Sequence, residues 1–194
     1  MTRLIIFLVV LSLIVGLVVM LGIGRDVDET GPTMDNVERT LETDRHERLL
    51  GRIAMDDATL NAFTTDGCSG GLSLAWEQLS EQFPELAARH GNRPPWEQCC
   101  VVHDRQYHAG GSTATSAIES FDQRRASDLQ LKACVVNTGA ERAGTLRDVY
   151  GLSDQQIEIL YQTISDLMYR AIRLGGIPCT RQPWRWGYGW PECS

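Results

Sequence analysis

Cys99-Cys100-Val101-Val102-His103-Asp104-Arg105-Gln106-Tyr107 is the stretch on which the fold turns. Pro94-Pro95 precedes it and Gly110-Gly111 follows, which predicts a helix over about 95–109, with Pro95 in its first turn and Glu97 near its positive end. On that helix Cys99 and His103 are four residues apart, as are Cys100 and Asp104. Two cysteine tethers then lie one turn below two ionisable groups. Because neighbours on a helix diverge by about 100°, His103 and Asp104 can serve adjacent but distinct sites, one holding a water and the other a cation. The same divergence argues against Cys99 and Cys100 sharing one tetrahedral zinc ion.

Downstream, a second helix is predicted over 115–136, ending near Gly139. A third starts at the capping box Ser153-x-x-Gln156 and keeps a helical period through Ile157, Leu160, Ile164, Leu167, Met168 and Ala171 up to Gly175-Gly176. Upstream, Val37, Leu41, Leu49, Leu50, Ile53, Leu60 and Phe63 recur at helical spacings and predict one or two helices over 35–63. Between lies Thr64-Thr65-Asp66-Gly67-Cys68-Ser69-Gly70-Gly71, an irregular loop whose glycines leave backbone groups able to face a ligand. Nothing reads as a long strand. The expected class is all-α, a small helical domain cross-linked by disulfides.

At the amino terminus, Leu4 to Ile23 is an almost unbroken apolar run. Rising about 1.5 Å per residue it spans the roughly 30 Å hydrocarbon layer, whereas a cleavable signal has a core of only about 7 to 15 residues and needs a better cleavage site than Leu21-Gly22-Ile23-Gly24-Arg25. Residues 1–3 are then a cytosolic stub, 4–23 a single transmembrane helix, 24–34 a linker and 35–194 the domain. Arg3 precedes the run while Arg25, Asp26, Asp28 and Glu29 follow it, so the positive end is the short one and the domain is expected on the periplasmic or extracellular side. In that oxidising compartment six cysteines are most economically three disulfides. A net charge of -7 without a basic cluster argues against a nucleic-acid partner.

The glycine loop with Cys68, then Cys99-Cys100-x-x-His103-Asp104-x-x-Tyr107, then Asp128 ahead of Cys134, resembles the secreted phospholipase A2 family in content and order over about 66–134. The resemblance implies disulfides Cys68–Cys100 and Cys99–Cys134, leaving Cys179 and Cys193 for each other. It implies His103 as general base, with Asp128 and Tyr107 orienting its ring. It implies a Ca²⁺ cofactor held by Asp104 and the carbonyls of Gly67, Ser69 and Gly71, and hydrolysis of the sn-2 ester of a phospholipid in a bilayer. The general chemistry agrees: an ester needs a base near neutral pH and a cation or donor for the oxyanion. The family has a further bridge at the positions of Gln106 and Ser127, absent here at both ends together, and usually glycine where this chain has Ser69. That departure admits an alternative, an inactive membrane-anchored module binding lipid or protein. His46, His90 and His108 match no role and are expected to be surface or structural.

An apolar channel is expected beside His103, with Leu60, Phe63, Leu72 and Leu74 as candidate walls. The tail over 176–194 alternates Trp184, Trp186, Tyr188 and Trp190 with Arg185, Gly187 and Gly189. It suits either a membrane-facing aromatic surface or a disulfide-clipped cap on the core, and the cap is favoured because so short a loop needs packing to stay ordered.

Overall fold

The structure, a computed structural model, describes residues 34–68 and 72–193. The transmembrane segment expected over 4–23, its stub and all but the end of the linker lie outside those residues, as do Ser69, Gly70 and Gly71. Among the described residues no helix is long and apolar enough to cross a membrane. The chain divides into a unit ending at Val37 and a unit running from Glu38 to Ser194, and the second carries every contact described below.

Seven helices and no strand occur among the described residues: α1 (Met34–Ile53), α2 (Leu72–Gln82), α3 (Pro84–His90), α4 (Glu97–His108), α5 (Ala117–Glu141), α6 (Ala143–Tyr150) and α7 (Asp154–Gly175). The domain is a small, helical, disulfide-rich one. Met34, the last residue of the expected linker, is helical. Of the one or two helices expected over 35–63 one is present, ending at Ile53, and irregular backbone follows it to the glycine loop.

The helix carrying His103 starts at Glu97 with Trp96 at its cap, so Pro94-Pro95 forms the turn that leads in rather than the first helical turn. α7 begins as predicted: Ser153 accepts from the Gln156 amide while the Gln156 side chain accepts from the Ser153 amide. α5 does not stop near Gly139 but continues to Glu141. Gly139 packs against α7, where a Cβ would fall 2.5 Å from Tyr161 Cγ, so this glycine permits a close helix approach instead of ending a helix.

α5 packs along α7 and α4 lies against α5. Leu131, Val135, Ile157, Tyr161 and Met168 form the main core between them. A second cluster gathers Leu49 of α1, Tyr107 of α4 and Trp186 of the tail. Three disulfides close the domain: Cys68–Cys100, Cys99–Cys134 and Cys179–Cys193. These are the pairs the resemblance implies. With sequence separations of 32, 35 and 14 residues, each restricts the unfolded chain by about 3 to 4 kcal/mol. Where the family's further bridge is missing, Gln106 instead donates to Gln130 Oε1 at 2.7 Å.

Candidate functional site

The two bridges at Cys99 and Cys100 fasten α4 to α5 and to the glycine loop, one turn below His103 and Asp104. All three of His103, Asp104 and Tyr107 are buried on this helix. His103 Nε2 lies 2.9 Å from Oδ1 of Asp128 on α5, and Tyr107 Oη donates to the same oxygen at 2.7 Å. The Tyr107 ring also tilts against the imidazole, with centroids 4.2 Å apart. Burial alone would raise the Asp128 carboxyl, but the His103 hydrogen bond and the Arg124 charge outweigh it and hold the group below the usual carboxylate range. An ionised Asp128 can only accept, so the imidazole proton sits on Nε2 and Nδ1 keeps its lone pair.

The neighbouring residue turns the other way. Asp104 Oδ2 accepts from Thr65 Oγ1 at 2.5 Å, and its Oδ1 is 4.0 Å from His103 Nδ1. Thr65 Oγ1 in turn accepts from the Gly67 amide at 3.0 Å, which ties the loop to α4. Desolvation pushes the Asp104 carboxyl up to about 6, and the nearby carboxylates of Asp66 and Glu97 add to the rise while Thr65 and His103 oppose it.

That environment fits a hard cation. An acid that burial and two neighbouring acids make costly to ionise gains most from a positive ion beside it. Among the described residues no three His, Cys, Asp or Glu side chains converge as a metal cluster, so Ca²⁺ here would depend on backbone oxygens. Gly67, one of the expected carbonyl ligands, has φ of +79°, a left-handed conformation, and a Cβ there would fall 2.0 Å from Glu97 Oε1. Glu97 is fixed in turn by Ser73, whose hydroxyl donates to Glu97 Oε2 at 2.5 Å and accepts from the Cys68 amide at 2.8 Å. Ser69 and Gly71, the other expected carbonyl ligands, lie outside the described residues.

His103 and Asp104 line a cleft of about 500 Å³, its open mouth included. Leu131, Met168, Ala171, Ile172 and Trp184 form its apolar walls. The channel thus runs from the loop residues Gly67 and Cys68 along α5 and α7, and neither Leu60 nor Phe63 lines it. Leu60 is exposed, and Phe63 packs edge-on against His108 under the Arg105 guanidinium. The Leu72 and Leu74 side chains lie outside the described residues.

Behind the dyad is a buried charged network that sequence reasoning missed. Arg173 Nη1 donates to Asp128 Oδ2 at 3.0 Å, Arg124 Nε donates to Tyr107 Oη at 3.0 Å, and both guanidiniums bond Glu42 of α1. Arg124, Arg173, Glu42 and Asp128 are all buried. A guanidinium has no acceptor, so the Tyr107 oxygen must accept from Arg124, which sends its only proton to Asp128. No local signal marks these residues, because Glu42 meets Arg124 and Arg173 across 82 and 131 residues of sequence.

The aromatic tail is divided by the fold. Trp186 is buried, meets Tyr107 edge-to-face with centroids 5.1 Å apart, and donates to Ser120 Oγ at 3.1 Å. Gly187 and Gly189 amides donate to the Tyr107 and His108 carbonyls, closing the end of α4, and Tyr188 Oη donates to the Thr64 carbonyl before the glycine loop. This portion is a cap. Trp184 faces the cleft instead. His46 and His108 are buried, His46 bonding Ser120 Oγ at 2.8 Å, and His90 contacts Arg142 and Tyr150 away from the site.

No protein-family model, no curated protein and no solved structure matches this chain.

Proposed function

We infer that the protein is a membrane-anchored, calcium-dependent acyl hydrolase similar to the secreted phospholipases A2, acting on the sn-2 ester of glycerophospholipids outside the cytosol. The observation that carries this is the bond from His103 to Asp128, which leaves Nδ1 as the basic atom of a histidine that lines an apolar cleft beside Asp104.

His103 Nδ1 takes a proton from a water as that water's oxygen attacks the ester carbonyl. The imidazolium formed is held by Asp128, and the same proton passes to the departing glycerol oxygen, releasing a fatty acid and a lysophospholipid. Leu131, Met168, Ile172 and Trp184 offer the acyl chain an apolar wall that excludes water. Asp104 and the carbonyls of Gly67, Ser69 and Gly71 would hold Ca²⁺, which when bound supplies a Lewis acid for the carbonyl oxygen. The 4–23 anchor would keep the cleft beside its substrate surface, so tethering replaces surface affinity.

The test is fatty-acid release from phosphatidylglycerol and phosphatidylcholine vesicles by the full-length chain in Ca²⁺ and in chelator. Release that needs Ca²⁺ and vanishes in His103→Gln supports the hydrolase. Wild type that binds vesicles without release, and matches His103→Gln, supports the inactive binding module instead.

A further inference from the structure

We propose that Arg173 is a positioning residue for this hydrolysis: it grips one oxygen of Asp128 so that the other is held toward His103, and Glu38 and Glu42 of α1 hold Arg173 in place. The inference rests on the hydrolase reading above.

Asp128 is fully buried, so both of its oxygens must find donors within the protein. Oδ1 receives His103 and Tyr107, at 2.9 and 2.7 Å. Oδ2 receives Arg173 Nη1 at 3.0 Å. Without Arg173 that oxygen would be stranded in a dry interior, and the carboxylate would gain by turning about its terminal torsion to share its two donors differently. The ring of His103 would then lose the acceptor that keeps its proton on Nε2.

Arg173 is itself held on its remaining nitrogens. Nε and Nη2 donate to Glu38 Oε2 at 3.0 and 2.9 Å, and Nη2 also reaches Glu42 Oε1 at 3.2 Å. A planar fork with donors on two edges can bridge Asp128 and the α1 carboxylates at once, which an ammonium cannot do in one geometry. Glu42 is buried and also bonds Arg124, the residue that sets the direction of the Tyr107 hydroxyl. One α1 carboxylate therefore steadies both arms that fix Asp128, and α1 becomes part of the active-site frame.

The experiment compares wild type with Arg173→Met and Arg173→Lys, using full-length protein, Ca²⁺ and the same vesicles. It measures kcat, KM, melting temperature, and the His103 tautomer from ¹⁵N ring shifts. Arg173→Met is expected to lower kcat about 10- to 100-fold at unchanged KM and to raise the Nδ1–H fraction of His103, with Arg173→Lys recovering part of the loss. A folded Arg173→Met with kcat within twofold of wild type and one tautomer overturns the proposal.

If Arg173→Met does not fold, Glu38→Gln decides. Its side chain is 31% exposed, so the new amide stays in reach of water while buried Arg173 loses one charged partner. A severalfold fall in kcat at constant KM supports the proposal, and an unchanged kcat overturns it. If wild type releases no fatty acid at all, the hydrolase reading fails on its own, and the tautomer comparison still decides whether Arg173 positions the pair.

Discussion

Nε2 of His103 lies 2.9 Å from Oδ1 of Asp128, and every other group around that carboxylate, Tyr107 and Arg173, is also a donor. An amide at this position cannot satisfy all three, because one of its two ends is itself a donor. Asp128→Asn must either face its NH₂ to His103, reversing the tautomer, or face it to Arg173, leaving Nη1 of that buried guanidinium without its acceptor. Fatty-acid release should fall about 10²- to 10⁴-fold, and stability by about 3 to 5 kcal/mol, as removal of one partner from a buried ion pair does. Activity assays and chemical denaturation of the same preparation check both.

Gly67 combines a left-handed φ of +79° with a carboxylate where its side chain would go. Gly67→Ala should cost about 1 to 3 kcal/mol in backbone strain and weaken Ca²⁺ binding, read by isothermal titration. Adding Glu97→Ala removes the closest clash, leaving Ser73 Oγ at 2.9 Å and the left-handed φ. The double variant should therefore recover some affinity while keeping a melting temperature below wild type, and full recovery would show that φ at Gly67 is not strained.

His90 provides a pH-dependent contact far from the cleft. Arg142 donates to its Nδ1, so the neutral ring carries its proton on Nε2 and gives it to Tyr150 Oη at 2.6 Å; Arg89 is the further cation acting on it, and Trp76 packs on its edge. Burial first, then the Arg142 and Arg89 charges, hold its pKa below the ordinary 6.5. A base depressed in the folded state is fully stabilising above 6.5, and that stability is lost as pH falls below it, because the unfolded chain takes up the proton first. His90→Gln keeps one acceptor and one donor but does not titrate. Between about pH 7.5 and 5.5, wild type should lose more thermal stability than His90→Gln, and equal losses would discount the contact.

The legible part of this molecule was the part with local causes. The capping box at Ser153 and Gln156 declares the start of α7 in four residues, and the Cys-Cys-x-x-His-Asp spacing places two tethers beneath two ionisable groups. The illegible part depends on partners distant in sequence. In α1 the leucines at helical spacing drew attention, yet Leu41 is 71% exposed while Glu42 and His46 turn inward. Their burial is repaid by Arg124, Arg173 and Ser120, between 74 and 131 residues away, and no local pattern announces that. Gly139 is similar: its reason is a tyrosine on another helix.

The tail offers the last prediction, because two tryptophans two residues apart have been given different work. Trp186 is buried against Tyr107 and bonds Ser120, so Trp186→Ala opens a cavity behind the residue that orients His103. Stability should fall by about 3 to 5 kcal/mol, with kcat falling alongside as Tyr107 loosens. Trp184 lines the cleft and is half-buried, so Trp184→Ala should cost under about 1 kcal/mol of stability while raising KM severalfold for long-chain substrates. Denaturant midpoints and steady-state kinetics on both variants separate the roles. If Trp184→Ala instead destabilises as strongly as Trp186→Ala at unchanged KM, the whole tail is a cap and the cleft takes its substrate without it.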